Sequence, residues 1–227
     1  MKIKSIPFNT DVVRAILDGR KTVTRRVLKP QPIHDNGFWK IGGAGWSDKI
    51  KAVHPVPCHS LWNRMPCEPG DILYAQETWS RKQATQCLGI TDECPHKSCE
   101  TANGPCFGYE YIFQAEPTDH LPTGEKWRPS IHMPREAARI FLRVTGVRVE
   151  RLQDITNEDA EKEGCRGVYH GRKGFPGSGF VLTPVDEFSE EWHGTIKPSD
   201  RPIYGWAANP WVWVIEFERC EKPEGWP

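Results

Sequence analysis

A lysine and a threonine that could cooperate in acyl transfer lie near the start of the chain, at Lys21 and Thr24 of the segment 19–26, GRKTVTRR. A threonine hydroxyl is a weak nucleophile until a base removes its proton. A lysine amine can be that base where burial or a nearby cation favours its neutral form. The cations of the segment are Arg20, Arg25 and Arg26. The same residues also suit an ordinary strand entry with threonines for β propensity, so residue types leave catalysis and structure open.

The elements around this segment decide whether Lys21 and Thr24 can meet. Apolar residues recur at helical spacing over residues 12–17, and Gly19 is typical of the residue that follows a helix. The basic segment is then predicted to turn into a strand. Residues three apart face opposite ways on a regular strand, so the two side chains converge only if the segment turns.

The other strand and helix patterns are scattered along the whole chain. Strands are predicted over 2–6, 72–77, 109–115, 139–149 with a bulge at Gly146, and 211–218, and short helices over 156–163 and 185–193. These patterns predict an α+β fold, a mixed β-barrel with two or three short helices and long loop insertions. We expect a single domain over 1–227, with an irregular insertion at 30–66 and a Cys-rich loop insertion at 80–108.

Four of the eight cysteines cluster in the second insertion, at Cys87, Cys94, Cys99 and Cys106. Four thiolates can hold zinc tetrahedrally. A loop of this length without helix or strand pattern needs a stabilising cross-link, which a bound metal would supply. The spacing lacks the close cysteine pair of a zinc knuckle, so free thiols are the alternative. We predict a structural zinc at this loop. No dinucleotide fingerprint is present, so no organic cofactor is expected.

Charge and hydropathy restrict the partners. The chain has 30 basic and 30 acidic side chains, whereas a bulk electrostatic binder of nucleic acid is usually basic. Contact with RNA must therefore rest on a local patch, for which residues 14–29 and 126–151 are the candidates. No run of about 18 apolar residues is present, so no membrane partner is expected. The polar N-terminus does not resemble a secretory signal, which predicts a cytoplasmic protein.

Several segments together resemble the ASCH domain. They are the helix followed by Gly19-Arg20-Lys21-Thr22-Val23-Thr24-Arg25, the strand after Gly70-Asp71, residues 155–163, and the terminal strand with Val214-Ile215-Glu216-Phe217. The ASCH domain has a PUA-like β-barrel and is similar to RNA-binding PUA domains, so the resemblance implies a PUA-like fold with RNA or a modified nucleoside as partner. Through residues 127–134 and 209–217 the wider chain is also similar to ASCH-containing proteins of phages and prophages. The resemblance covers most of the chain outside 30–66 and the Cys-rich loop.

One ASCH branch hydrolyses the amide of N4-acetylcytidine with a Lys, a Thr and a Glu. The resemblance implies catalytic roles for Lys21, Thr24 and Glu163. Glu161, two residues away, is the alternative position for the catalytic carboxylate. Binding of RNA or of a base without turnover is the alternative, because this fold serves both enzymes and binders. The residues expected to contact substrate are Arg20, Arg25, Arg26, Glu77, Trp79 and His132. Core packing for Trp79 and a structural role for His132 are the competing interpretations.

Overall fold

Strands outnumber helices in the structure, a computed structural model that describes residues 1–35, 38–40, 64–83, 109–116, 121, 124–167, 169–171 and 179–227. The mixed α+β class that the sequence predicts is confirmed in these residues. The four cysteines predicted to bind zinc and most of the 30–66 insertion lie outside the described residues. Among the helices of the described chain, none is long and apolar enough to cross a membrane.

The described residues contain eleven strands and four α-helices. The strands are β1 (Ile3–Pro7), β2 (Val23–Val27), β3 (Ile33–Asp35), β4 (Phe38–Lys40), β5 (Ile72–Gln76), β6 (Trp79–Gln83), β7 (Tyr109–Phe113), β8 (Phe141–Arg151), β9 (Tyr169–Gly171), β10 (Gly179–Val181) and β11 (Trp211–Cys220). The helices are α1 (Thr10–Leu17), α2 (Asn157–Lys162), α3 (Pro184–Thr195) and α4 (Arg201–Tyr204). Short 3₁₀ turns cover Ser130–His132, Arg135–Ala137, Leu152–Asp154, Pro198–Asp200 and Trp206–Ala208.

Five strands form one mixed sheet in the order β1-β5-β8-β11-β2. β2 and β11 are antiparallel, with Thr24 opposite Ile215 and Arg25 opposite Val214. β1 and β5 run parallel, because Ile72 N–H donates to the Lys2 carbonyl and Phe8 N–H donates to the Gln76 carbonyl. With β1 and β2 at the two edges, the sheet is open rather than a closed barrel within the described residues. The pairs β3–β4, β6–β7 and β9–β10 are separate two-stranded sheets.

Contacts group the chain into two compact units. The first unit comprises Met1–Lys4, Ala15–Leu73 and Leu142–Cys220. Its apolar cluster is Val23, Leu152, Ile155, Ala160, Cys165, Phe188, Trp192, Val212 and Val214. This cluster joins β2 and β11 to α2 and α3, and so fixes the end of α2 against the start of β2.

The second unit comprises Ser5–Arg14, Tyr74–Phe141 and Glu221–Pro227. Trp226 is buried there, with its ring centroid 4.9 Å from that of Tyr74 and 5.1 Å from that of Phe141. The Arg135 guanidinium covers the Trp226 ring at 4.2 Å from its centroid. Edge-to-face ring pairs and a cation over a ring add to the area that these side chains bury.

Side-chain caps and a glycine mark the helix boundaries. Asn9 caps α1 through a 2.8 Å hydrogen bond from Val12 N–H, and Gly19 follows the helix with a φ of +75°. Thr156 caps α2, because its hydroxyl accepts from Asp159 N–H at 3.2 Å. Thr183 and Asp186 form a reciprocal capping box at the start of α3.

The sequence predicts a bulge at Gly146, and this residue lies inside β8, which extends from Phe141 to Arg151. The bulge itself stays a prediction. A Cβ at Gly146 would lie 2.8 Å from a carboxylate oxygen of Glu216 on the neighbouring strand. The glycine therefore leaves room for the Glu216 carboxylate, which pairs with Arg148. A hairpin of β3 and β4 likewise occupies part of the segment predicted to be irregular.

Candidate functional site

A buried ion pair joins the start of β2 to the end of α2. Lys21 Nζ lies 2.5 Å from Glu163 Oε2 and also donates to the Glu163 backbone carbonyl at 2.8 Å. Each side chain is 4% exposed. Transfer of two charges out of water is unfavourable unless the pair is close and well hydrogen-bonded, as it is here. The structure thus brings together two of the three residues that the resemblance implies are catalytic.

Backbone geometry on both sides holds this pair in place. After α1 ends, the N–H groups of Arg20 and Lys21 both donate to the Ala15 carbonyl, which turns the chain toward β2. Thr22 N–H then donates to the Lys162 carbonyl at 2.9 Å. Gly164 follows Glu163 with a φ of +107°, and a Cβ at this residue would lie 2.9 Å from the Ala15 Cβ. A glycine is therefore required where α1 and α2 pass each other.

Arg25 is enclosed by three carboxylates. Its guanidinium lies 3.2 Å from Glu163 Oε1, 3.3 Å from Glu150 Oε2 and 3.5 Å from Asp159 Oδ2. The Arg25 side chain is 0% exposed, so these carboxylates, rather than water, balance its positive charge. Lys21 and Arg25 occupy different oxygens of Glu163, which fixes the orientation of that carboxylate. Sequence reasoning predicted Arg25 as a substrate contact, but the described geometry gives it protein partners.

Glu150 and Asp159 are site residues that the sequence analysis missed. Asp159 lies in α2, four residues before Glu163, which follows the helix with helical backbone angles. This spacing places two side chains on one face. Glu150 comes from β8, and Arg148 on the same strand pairs with both Glu150 and Glu216. The helical spacing was a usable signal for Asp159, whereas only the strand order could reveal Glu150.

Thr24 lies apart from the ion pair. It is 4% exposed and sits directly opposite Ile215 in the β2–β11 ladder, whereas Arg25 sits opposite Val214. Successive side chains of a strand point to opposite faces, so Thr24 faces away from the side on which Arg25 reaches Glu163. No hydrogen bond links Thr24 to Lys21 or Glu163 in the described chain. Its role as nucleophile stays a prediction.

The two remaining arginines of the segment are partly buried. Arg20 donates to the Gly164 carbonyl at 2.6 Å and pairs with Asp18 at 3.1 Å. Burial lowers the pKa of the Arg26 guanidinium, and the negative charge of Glu163 partly opposes that effect. The basic segment is therefore built into the protein, and its cations do not form an open basic surface.

An open groove of about 460 Å³ lies beside the end of α2. It is lined by Arg20, Glu158, Glu161, Lys162, Cys165 and Arg166. Glu161 is an exposed residue on this groove, while Glu163 is buried against Lys21. Of the two glutamates considered for the catalytic carboxylate, Glu163 rather than Glu161 pairs with Lys21.

Three further residues predicted to contact substrate belong to the second unit. Glu77 is 0% exposed, and Arg139 holds both of its carboxylate oxygens, at 3.0 and 2.8 Å. Burial raises the pKa of the Glu77 carboxyl, and the hydrogen bonds from Arg139 only partly oppose it. Trp79 is buried, with Tyr111 at its edge and the Arg128 guanidinium over its ring, which fits core packing. His132 is exposed in a 3₁₀ turn.

Comparisons with protein-family models, curated proteins and solved structures find no match for this chain.

Proposed function

We propose that this chain is an ASCH-type, PUA-like protein that hydrolyses the amide of an N4-acylated cytidine or a similar modified nucleoside. The observation that carries the proposal is the buried pair of Lys21 and Glu163. A buried ion pair is weak support for stability, and strongly desolvated ionisable groups cluster at functional sites. The substrate class comes from the resemblance to the ASCH branch with a Lys, a Thr and a Glu.

The pair supplies an acid and a base at one point. Transfer of a proton from the Lys21 ammonium to the Glu163 carboxylate, across 2.5 Å, leaves a neutral amine and a carboxylic acid. The amine then takes a proton from the attacking hydroxyl as its oxygen bonds to the acyl carbon. The carboxylic acid returns a proton to the departing N4 nitrogen as the carbon–nitrogen bond breaks. Amide and water thus give a carboxylic acid and cytidine.

The source of the attacking hydroxyl separates two versions of this reaction. The resemblance assigns it to Thr24, which would form an acyl-enzyme that water then hydrolyses. The strand pleat directs Thr24 away from Glu163, and this arrangement favours a water molecule that is activated directly. Thr24→Val removes the hydroxyl at nearly constant shape, so abolished turnover identifies Thr24 as nucleophile and retained turnover identifies water.

Charge balance favours hydrolysis over binding of phosphate by the same segment. Lys21 and Arg25 already face Glu163, Glu150 and Asp159, so their charges are offset within the protein. RNA binding remains a prediction that rests on other cations of the chain. Retention on RNA that falls steeply with salt would support it.

The direct test is incubation of the purified chain with N4-acetylcytidine, with cytidine quantified by chromatography. We expect Lys21→Ala and Glu163→Gln to reduce kcat/KM by at least about 100-fold, the usual contribution of general acid–base catalysis. Glu161→Gln is the matched control, since this glutamate lies on the same helix end and is exposed. Absence of turnover in the parent chain, or turnover that survives both substitutions, contradicts the proposal.

A further inference from the structure

Three potential metal ligands meet where the chain after α2 packs against α3. The Cys165 thiol and one carboxylate oxygen each from Glu187 and Glu191 all lie within 4.8 Å of one another. Glu187 and Glu191 are four residues apart on α3, so they project from the same face of the helix. Cys165 comes from a different element, so the fold itself brings the three donors together.

Two of the donors are held firmly by the protein. Glu187 Oε2 accepts from the backbone N–H groups of both Arg166 and Gly167, at 2.8 Å each. Those bonds orient the carboxylate, as outer hydrogen bonds do for the ligands of metal sites. Cys165 is 2% exposed within the apolar cluster of the first unit, and its thiol makes no hydrogen bond in the described chain.

The chemistry of the donor set suits a cation. A thiol and two carboxylates lie within 4.8 Å of one another, and all three groups bind divalent ions. A coordinated thiol loses its proton, and the ion offsets the charge of both carboxylates.

The size and access of the site fit a zinc-like ion. A tetrahedral zinc ion places sulfur and oxygen ligands roughly 3.3–3.7 Å apart, given its bond lengths of about 2.0–2.3 Å. The three donor atoms, which lie within 4.8 Å of one another, would close to that separation around a bound ion. Cys165 also lines the open groove beside α2, which gives an ion a path from solvent.

We propose that Cys165, Glu187 and Glu191 bind a zinc-class divalent cation, with a fourth position that opens to the groove. Thiolate selects a soft ion such as Zn²⁺ or Co²⁺ over Mg²⁺ or Ca²⁺. Its three donors are different residues from the four cysteines of the 80–108 loop. They are also different from Lys21, Thr24 and Glu163, the residues assigned to the proposed amide hydrolysis.

The test is a titration of the full, chelator-treated chain with Zn²⁺ by calorimetry and with Co²⁺ by absorption. We expect Cys165→Ala to lose one equivalent of metal together with its share of the thiolate-to-cobalt charge-transfer band. Differences between variants isolate this site from any metal in the Cys-rich loop. Glu191→Gln is an exposed change that leaves the core intact. It should lower the affinity of the site for metal by more than about tenfold.

Glu190→Gln is the matched control, because Glu190 is an exposed neighbour on α3 outside the donor group. It should bind metal as the parent chain does. Equal stoichiometry and equal cobalt spectra for Cys165→Ala and the parent would overturn the proposal. The same conclusion follows if Glu191→Gln binds as tightly as Glu190→Gln.

Discussion

Lys21 and Glu163 are 142 positions apart in the sequence, yet the lysine nitrogen and a carboxylate oxygen of the glutamate are separated by 2.5 Å. Arg25 holds the other oxygen of the same carboxylate at 3.2 Å. A single glutamate therefore balances two buried cations, and its charge matters to folding as well as to any reaction.

Glu163→Gln should lower the free energy of unfolding by about 3 kcal/mol, because it leaves Lys21 and Arg25 buried with one carboxylate fewer. Urea denaturation at neutral pH measures this change. Glu161→Gln, on the exposed side of the same helix end, should stay within about 0.5 kcal/mol of the parent. Equal stability of the two variants would show that the pair contributes nothing to folding.

Arg139→Met tests the second buried carboxylate. The substitution leaves Glu77 without its two hydrogen bonds and removes a guanidinium that lies 4.2 Å from the centroid of the Phe113 ring. We expect a loss of about 3–5 kcal/mol in the free energy of unfolding. Arg143→Met is the control, since the ion pair that this arginine makes in the described residues is a long one, 3.9 Å, to the exposed Glu218. A loss at Arg139 as small as the loss at Arg143 would contradict the expectation.

Two glycine substitutions should have opposite signs. Gly164→Ala introduces a Cβ at a φ of +107° and 2.9 Å from the Ala15 Cβ, so we expect a loss of at least about 1–3 kcal/mol. Gly194→Ala places a methyl group in open space within helix α3, where alanine is favoured by roughly 0.5–1 kcal/mol. Thermal unfolding of both variants checks this difference in sign. Stabilisation by Gly164→Ala would mean that α1 and α2 are not packed as described.

Acid stability should depend on Asp71. Burial raises the pKa of its carboxyl, but hydrogen bonds from the N–H groups of Lys2 and Glu68, with the charge of Lys4, outweigh that effect and leave the pKa below its usual value. A lowered folded pKa stabilises above the unfolded value of about 3.9, and the stabilisation disappears as pH falls through the folded pKa.

The advantage of the parent chain over Asp71→Asn should therefore be full at pH 6 and above and shrink below about pH 4. Denaturation curves across that range measure it. The exposed Asp154 offers a control, and Asp154→Asn should show no comparable trend. A difference between parent and Asp71→Asn that is constant with pH would contradict the assigned hydrogen bonds.

Local signals in the sequence predicted the parts of the site that depend on neighbouring residues. The end of α1 at Gly19 and the helix predicted over 156–163 both follow from rules of spacing. The enclosure of Arg25 could not be predicted, because Glu150 comes from β8 and only the strand order brings it close. The need for a glycine at residue 146 could not be predicted either, because it depends on the Glu216 side chain on the adjacent strand.

The hydrogen bonds from Arg20 to the Gly164 carbonyl and from Lys21 to the Glu163 carbonyl place two cations at the C-terminal end of α2. Carbonyl groups at such an end carry the negative pole of the helix dipole. These two cations are therefore attracted to the backbone at the helix end, in addition to any attraction to the Glu163 side chain. The helix end anchors the lysine through a backbone carbonyl, which no side-chain substitution at residue 163 removes.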